Sequence, residues 1–157
     1  MNYYIGTKLI KAEPMNLGDY NIFKGWQIPA DENPLRDGYK VQYSDDYISW
    51  SPKEEFEKAY MVLSTNKALK TDAPSISQKM VDSFIRETNV STLGDRCTVV
   101  RATLINGFEI VESSACVSVE NYDEKMGAEI CMEKIKDKVW MLLGFLLQTA
   151  VNGIKED

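Results

Sequence analysis

The amino-acid sequence predicts an α+β fold, in which a small β-rich N-terminal module precedes a helix–β-hairpin–helix domain. Side chains from Tyr39 to Tyr43 alternate with the period of a half-buried strand. Asn106-Gly107 separates two runs rich in Val, Thr and Ile, and this dipeptide is the strongest short-range signal of a β-hairpin. After Asn121, apolar residues return at the three- to five-residue steps of a helix.

The N-terminal module is predicted to contain three short strands and a helix. Aromatic and β-branched residues predict a strand from Tyr3 to Ile10, and apolar spacing predicts a short helix over 16–24. A turn region rich in Pro, Asp and Asn follows at 29–38. The segments Tyr39 to Tyr43 and Tyr47 to Trp50 then form a pair of strands.

A second helix is predicted to begin directly after these strands. Ser51 can cap it, Pro52 suits its first position and Glu54 completes a capping box. The apolar side of this helix consists of Phe56, Ala59, Tyr60 and Leu63.

A linker at 64–74 is predicted to separate the module, residues 1–63, from a second domain at 75–150. The linker is polar, lacks a clear period and ends in proline. Apolar residues at helical spacing predict a helix from Ser75 to Thr88, and the residues from Asn89 to Asp95 are predicted to form a loop.

The hairpin and the last helix complete the second domain. The two strands are predicted at Cys97 to Ile105 and at Phe108 to Val119. Ser118 or Asn121 can cap the helix that follows. Its apolar stripe consists of Tyr122, Met126, Ile130, Ile135 and Val139.

The composition narrows the functional class. The longest apolar run, Trp140 to Ala150, is shorter than the ~18 residues of a membrane span, and the N-terminus lacks the pattern of a signal peptide. We therefore expect a cytoplasmic location and no membrane partner. The sequence has no histidine and three widely spaced cysteines, which removes His-based metal sites and Ser-His or Cys-His catalysis. We expect no cofactor, no metal and no catalytic residue.

The charge distribution disfavours binding of extended nucleic acid. The formal net charge is −6. Seven basic and ten acidic residues up to Val62 give that part −3, and eleven basic and fourteen acidic residues give the remainder −3. Neither part resembles a surface that binds a polyphosphate backbone. A small anionic ligand remains compatible, because a pocket needs only a few local cations.

Aromatic and cationic residues concentrate in the N-terminal module, as a nucleotide pocket would require. An aromatic ring can stack on a base and a cation can bind phosphate. The candidate ligand-binding residues are Trp26, Tyr39, Tyr43, Trp50, Lys8, Lys24, Arg36 and, in the second domain, Arg101. Tyr47 and Lys40 belong to the same group of side chains. The alternative is that the aromatic residues form the core of a small sheet, and for any one of them alone we favour this role.

Two further motifs have simpler structural explanations. The run from Ser113 to Cys116 could suggest a nucleophile, but it has no histidine partner and is not a nucleophile elbow. The run from Asn121 to Glu124 could bind a hard cation, but a helix cap with acidic residues in the first turn explains the same residues.

The end of the last helix is more apolar than a small domain requires. The residues concerned are Leu142, Leu143, Leu146 and Leu147. From this apolar end we expect a homo-oligomeric contact.

The second half of the chain contains a series of short motifs in a specific order and spacing. They are Pro74-Ser75-Ile76, Asn106-Gly107-Phe108, Ser113-Ser114-Ala115-Cys116, Asn121-Tyr122-Asp123, Gly127 and Lys138-x-Trp140-x-x-x-Gly144-Phe145-Leu146-Leu147. Through these motifs, about residues 74–148 resemble the tailed-phage protein family known as Gp49-like. Members commonly have proline directly after the tryptophan, where this chain has Met141. The resemblance therefore implies a helix that continues past Trp140 in this chain.

The first half resembles a module that recurs in phage accessory proteins, on Ile5-Gly6-Thr7-Lys8, Gly25 to Pro29, Asp37-Gly38-Tyr39 and Tyr47 to Lys53. The segments around Trp26 and Trp50 also resemble small phage sponge proteins that counter Thoeris defence by binding cyclic nucleotide-type signals. These resemblances imply an anti-defence protein that sequesters a small nucleotide-type immune signal without catalysis. The alternative is a module that binds and inhibits a host protein, and a carboxylate-dependent hydrolase of such signals is a third possibility.

Overall fold

The computed structural model describes residues 1–64 and 66–155, which form two compact units. Unit 1 contains the residues from Met1 to Val62 and those from Thr149 onward, and unit 2 contains Leu63–Gln148. Within the described residues each unit has one three-stranded antiparallel sheet with helices, which confirms the α+β class. The linker predicted at 64–74 remains a prediction, and Thr65 within it lies outside the described residues.

Unit 1 is built on a sheet with the strand order β1-β2-β3. Its elements are β1 (Lys11–Pro14), α1 (Leu17–Lys24), β2 (Gly38–Gln42), β3 (Ile48–Pro52) and α2 (Lys53–Ala59). The helix predicted over 16–24 is confirmed. Asn16 caps it by accepting the Asp19 N–H at 2.7 Å, and Gly25 ends it with a left-handed φ of 70°.

The strand predicted from Tyr3 to Ile10 is wrong, because the first strand begins at Lys11. β1 pairs with β2 from Lys11↔Gln42 to Pro14↔Tyr39. Directly after Gln42 the chain turns, since the Tyr43 N–H donates to the Tyr47 carbonyl at 2.9 Å. β2 therefore has no residues left to pair with the segment before Lys11, although its composition favours a strand.

The predicted start of α2 is also wrong. Ser51 and Pro52 are the last residues of β3, and Pro52 precedes the helix without a side-chain cap. Because Gly38 pairs with Pro52, the strand continues through Pro52, and Pro52 instead of Ser51 takes the N-cap position. The helix ends at Ala59 instead of Leu63.

Unit 2 contains a second sheet with the order β4-β5-β6. Its elements are α3 (Gln78–Phe84), β4 (Ile85–Leu93), β5 (Cys97–Leu104), β6 (Glu109–Ala115) and α4 (Glu124–Asn152). A 3₁₀ turn at Val119–Asn121 precedes α4, whose last residues are grouped with unit 1.

The predicted helix from Ser75 to Thr88 is too long, and the predicted loop from Asn89 to Asp95 is wrong. The helix occupies Gln78–Phe84, and β4 follows it without a break. β4 pairs with β5 from Ile85↔Leu104 to Leu93↔Cys97. The hairpin thus becomes a three-stranded sheet, because pairing with β5 satisfies the backbone of a segment rich in Thr, Ser and Val.

The hairpin predicted at Asn106-Gly107 is confirmed. The Leu104 N–H donates to the Phe108 carbonyl at 2.8 Å, so the loop has three residues. Gly107 takes a φ of 84°, whereas Asn106 does not enter the positive-φ region. A three-residue loop of this kind places its glycine in the left-handed conformation.

The long helix α4 is capped and buried differently from the prediction. Asp123, rather than Ser118 or Asn121, accepts the Met126 N–H at 2.9 Å. Ile135 and Val139 are buried as predicted, but Met126 and Ile130 are 60% and 40% exposed. The buried stripe advances in four-residue steps through Gly127, Cys131, Ile135, Val139 and Leu143. The helix continues past Met141 to Asn152, as its lack of proline implied.

The core of unit 2 lies between α4 and one face of the sheet. On β5 the alternating side chains Thr98, Val100, Ala102 and Leu104 are buried. The closest approach is at Gly127, which lies over Thr98. The Lys134 ammonium donates to the Ser113 carbonyl at 3.0 Å, and Lys138 forms an ion pair with Glu112, so α4 also lies along β6.

Cys131 is expected to be the least reactive of the three thiols. It lies on the face of α4 that packs on β5 and is fully buried there. Burial raises the pKa of the Cys131 thiol, so the reactive thiolate is scarce. Cys97 and Cys116 are partly exposed. Brief alkylation of the folded protein with iodoacetamide, followed by peptide mass mapping, should label these two and spare Cys131 until denaturant is added. Equal labelling of all three in the folded protein would contradict this packing.

An ion pair joins α3 to α4 and should respond to pH. Lys136 Nζ lies 2.9 Å from Asp82 Oδ1, and this hydrogen bond lowers the pKa of the Asp82 carboxyl. A lowered folded-state pKa contributes stability above the unfolded value of about 4, and this stability is lost as the pH falls through the folded-state pKa. Because the pair is exposed, Lys136→Gln should cost only about 0.5 kcal/mol at pH 7.

A double-mutant cycle measures the coupling free energy between Lys136 and Asp82. It compares urea unfolding of the original protein, Lys136→Gln, Asp82→Asn and the double variant. The coupling free energy should shrink steadily as the pH falls below about 4. A coupling that is unchanged between neutral and acidic pH would show that this pair does not titrate as described.

Candidate functional site

The cations of unit 1 lie next to aromatic rings, but in separate pairs. Each predicted cation is within 6 Å of a ring centroid, close enough for a cation–π interaction. The pairs are Lys8 with Tyr43 at 5.5 Å, Lys24 with Trp26 at 5.3 Å, Arg36 with Trp50 at 5.7 Å and Lys40 with Phe23 at 4.6 Å. The predicted residues therefore do not converge on one pocket.

Trp50 has a structural role in the sheet of unit 1. Its Nε1–H donates to the Met15 carbonyl at 2.7 Å, and its ring is half-buried. Gly38 lies directly under the ring, where a Cβ atom would come within 2.3 Å of Trp50 Cζ2. The ring thus fills the space that the glycine leaves. The Arg36 guanidinium also lies over this ring.

Tyr39 joins β2 to α2. Its ring stacks on Phe56 with centroids 4.1 Å apart, and its hydroxyl donates to Glu57 Oε1 at 2.9 Å. This hydrogen bond to the Glu57 carboxylate raises the pKa of Tyr39. Tyr39 also lines a cleft of about 420 Å³ with Asp19, Asp37 and Lys53, where charges of both signs are present.

Trp26 and Arg101 lie at other places. Trp26 is 56% exposed and packs edge-on against Tyr20, with ring centroids 6.1 Å apart. Arg101 belongs to β5 in unit 2, where its guanidinium lies 3.6 Å from Glu109 Oε1.

The cleft that best combines an aromatic surface with a cation lies in unit 1 and has a volume of about 570 Å³. Three segments line it: residues 7–10, the β2–β3 turn and the last turn of α4. Of the predicted site residues, it contains Lys8 and Tyr43. Tyr47, Asp45 and Thr7 also line it.

The β2–β3 turn holds the aromatic side of this cleft in place. The Tyr43 and Tyr47 rings lie 5.9 Å apart at 29°. Their backbones are joined by the Tyr43 N–H to Tyr47 carbonyl bond, and Asp46 takes a left-handed φ of 62°. Asp45 Oδ1 accepts the Tyr47 N–H at 3.1 Å, which fixes its carboxylate within the turn. Lys8 Nζ lies over the Tyr43 ring.

Thr7 adds a polar group without a partner. Its Oγ1 is buried and accepts or donates no hydrogen bond within the described part of the chain. A buried hydroxyl without a partner costs free energy. The sequence pattern did not point to Thr7, because the residues around it were interpreted as a strand. Nothing in the sequence pointed to Ala150 and Val151, which close the cleft from the end of α4.

Other classes of site find no counterpart in the described residues. Across 1–64 and 66–155, no three Cys, Asp or Glu side chains are grouped as a metal site would require. None of the helices in those ranges has the length and hydrophobicity needed to cross a bilayer. Asp123 caps α4, so the Asn121–Glu124 run acts there as a helix start.

Comparison with known proteins identifies one part of the chain. Residues 76–151 match the model of the phage protein (N4 Gp49/phage Sf6 gene 66) family. No curated protein and no solved structure matches the chain. These comparisons do not support the resemblance to sponge proteins that counter Thoeris defence. The match includes all three strands of the unit 2 sheet and nearly all of α4. The C-terminal part of this chain, residues 76–151, therefore belongs to the phage protein (N4 Gp49/phage Sf6 gene 66) family.

Proposed function

We propose that this phage accessory protein counters host defence by sequestering a small nucleotide-type signal in the cleft of unit 1. The observation that carries the proposal is the meeting of Lys8, Tyr43 and Tyr47 in a cleft of about 570 Å³. Small-molecule sites usually have volumes of roughly 300–1,000 Å³ and combine apolar walls with a few polar groups. Leu9 and Ile10 supply the apolar wall, and Lys8 and Asp45 supply polar groups.

The base and the phosphate of a nucleotide each have a matching group in this cleft. The exposed ring of Tyr47 offers a stacking surface for a base, and such stacking contributes ~1–3 kcal/mol per base. Lys8 supplies a charge-assisted hydrogen bond for a phosphate oxygen. To reach the phosphate, the Lys8 ammonium has to leave the Tyr43 ring, and this exchange costs only about 0.5–1 kcal/mol at an exposed site.

Binding without chemistry agrees with the groups that line the cleft. The Asp45 carboxylate, which could serve as a base, already accepts the Tyr47 N–H. The sequence has no histidine to take over proton transfer. We therefore propose sequestration of an intact ligand rather than its hydrolysis.

A release assay tests this proposal. The protein is incubated with cyclic di- and trinucleotides and ADP-ribose derivatives, freed of unbound ligand, denatured by heat and assayed for ligand in the supernatant. Recovery of an intact member is the expected result, and Tyr47→Ala should reduce the recovered amount, while Tyr3→Ala, outside the cleft, should not. Recovery of an altered ligand would indicate an enzyme, and recovery of none would reject the nucleotide proposal.

Exposed apolar residues on α4 favour a second candidate, a module that binds a host protein or a second copy of this chain. Met141 is 65% exposed and Leu146 is 42% exposed. Apolar side chains of this size on one helix are typical of contact surfaces. Light-scattering mass measurement tests the self-association form of this candidate. Self-association predicts a dimer or larger assembly at micromolar concentration, and this assembly should be lost in Met141→Lys. A monomer would reject self-association.

A further inference from the structure

We infer that the cleft of unit 1 selects ligands with one or two negative charges, such as a cyclic nucleotide or phosphodiester, and rejects nucleoside triphosphates. This inference rests on the proposed function and narrows the chemistry of its ligand. Three features of the cleft support it: the number of cations, the position of a carboxylate and the polarity of a helix end.

The cleft offers one cation to an anionic ligand. Among the described residues that line it, Lys8 is the only basic one. Asp45 lines the same cleft, and its bond to the Tyr47 N–H favours the position of its carboxylate there. A phosphate charge beside Lys8 is compensated locally by the ammonium group. Further negative charges find no second cation among the described residues that line the cleft, and they approach the Asp45 carboxylate.

The end of α4 adds negative potential on another side. Ala150 and Val151 line the cleft close to Asn152, the last residue of this 29-residue helix. The C-terminal end of a helix carries about half a negative charge on its last carbonyl groups. Its last turn contains no basic residue that would offset this charge. This side of the cleft should attract hydrogen-bond donors, such as the amino group of a base or a ribose hydroxyl, and repel phosphate.

The expected ligand therefore has an anionic group at one end and hydrogen-bond donors at the other. A phosphate with one or two charges lies at Lys8, and donor groups lie towards Asp45 and the end of α4. Each additional negative charge on the ligand is expected to weaken binding about fivefold. This is the change in binding constant that corresponds to the Coulomb repulsion between two like charges about 4 Å apart in largely aqueous surroundings.

A charge series on a constant base tests the inference. Equilibrium dialysis of the full chain with adenosine, cyclic AMP, AMP, ADP and ATP, without divalent metal, varies the ligand from no charge to about four negative charges. A guanosine series repeats the test with another base. The cyclic monophosphate, with about one negative charge, is expected to bind most tightly, and ATP, with about three more, roughly a hundredfold more weakly at a fivefold factor per charge.

Two variants assign the effect to the cleft. Lys8→Gln should reduce binding of cyclic AMP to the level of adenosine, while Lys8→Arg preserves it. Asp45→Asn keeps the side-chain oxygen that accepts the Tyr47 N–H, but removes a charge, and should narrow the gap between cyclic AMP and ATP about fivefold. A gap that is unchanged in Asp45→Asn would overturn the inference.

The outcomes separate this inference from the function on which it rests. Affinity that rises with charge from adenosine to ATP overturns the charge selection and leaves nucleotide sequestration standing. Absence of binding in both series overturns the charge selection as well, while the release assay with the wider panel decides sequestration independently.

Discussion

Gly127→Ala is expected to destabilise unit 2 by about 3 kcal/mol, because a side chain at this position overpacks the core. A Cβ atom would lie 2.2 Å from Thr98 Oγ1 and 2.7 Å from Thr98 Cβ. Thr98 is fully buried, and its β-branched side chain has few alternative rotamers. Its hydroxyl also bonds the Tyr122 hydroxyl at 3.1 Å, so rotation would break that contact. Relief of the clash therefore requires α4 to move away from β5.

Gly144→Ala is the matched control on the same helix. No heavy atom lies within 4 Å of a Cβ atom added at Gly144. Replacement of glycine by alanine within a helix should stabilise the protein by up to about 1 kcal/mol. Thermal unfolding followed by far-ultraviolet circular dichroism compares the two variants. Equal melting temperatures for both would contradict the close packing of α4 on Thr98.

Gly38→Ala is expected to destabilise unit 1 by about 3 kcal/mol for a related reason. The new Cβ atom would lie 2.3 Å from the Trp50 ring and 2.4 Å from the Ser51 carbonyl oxygen. The ring is held by its bond to the Met15 carbonyl, and the Ser51 oxygen belongs to the backbone of the neighbouring strand β3. Since neither neighbour can yield cheaply, β2 and β3 would have to separate at this pair.

Fluorescence can follow this effect within unit 1. In a Trp140→Phe background the remaining tryptophans are Trp26 and Trp50, both in unit 1. Urea unfolding of Gly38→Ala should show a midpoint well below that of Gly6→Ala, where an added Cβ atom meets no heavy atom within 4 Å. Coincident midpoints would contradict the position of Trp50 over Gly38.

Elements with local causes could be predicted from the sequence. Helix α1 has its own cap at Asn16 and its own stop at Gly25, and the hairpin at Asn106-Gly107 depends on a glycine with positive φ. β4 and β1 could not be predicted in the same way. The residues of β4 continue a helical spacing from Met80 and Phe84, and only pairing with β5 makes them a strand. Residues 3–10 have the composition of a strand and lack a partner, which is a non-local condition.

The candidate site shows the same division. Clustering of aromatic residues and cations in the first module was visible in the sequence, and the structure places each of these cations beside a ring. Which pair lines the 570 Å³ cleft depends on the turn that brings Tyr47 next to Tyr43 and on the far end of α4. Ala150 and Val151 lie about a hundred residues after Tyr47 in the sequence. No sequence pattern connects them with Lys8 or with the turn.

Titration calorimetry with the tightest nucleotide from the panel tests most directly whether this cleft binds the ligand. Lys8→Gln removes the cation in the cleft, and Lys24→Gln removes an equivalent cation that lies over Trp26. Both variants change the net charge equally, so long-range attraction is matched. The account predicts that Lys8→Gln weakens binding at least about tenfold, while Lys24→Gln changes it by less than about twofold. Equal effects of the two substitutions, or no effect of Lys8→Gln, would contradict it.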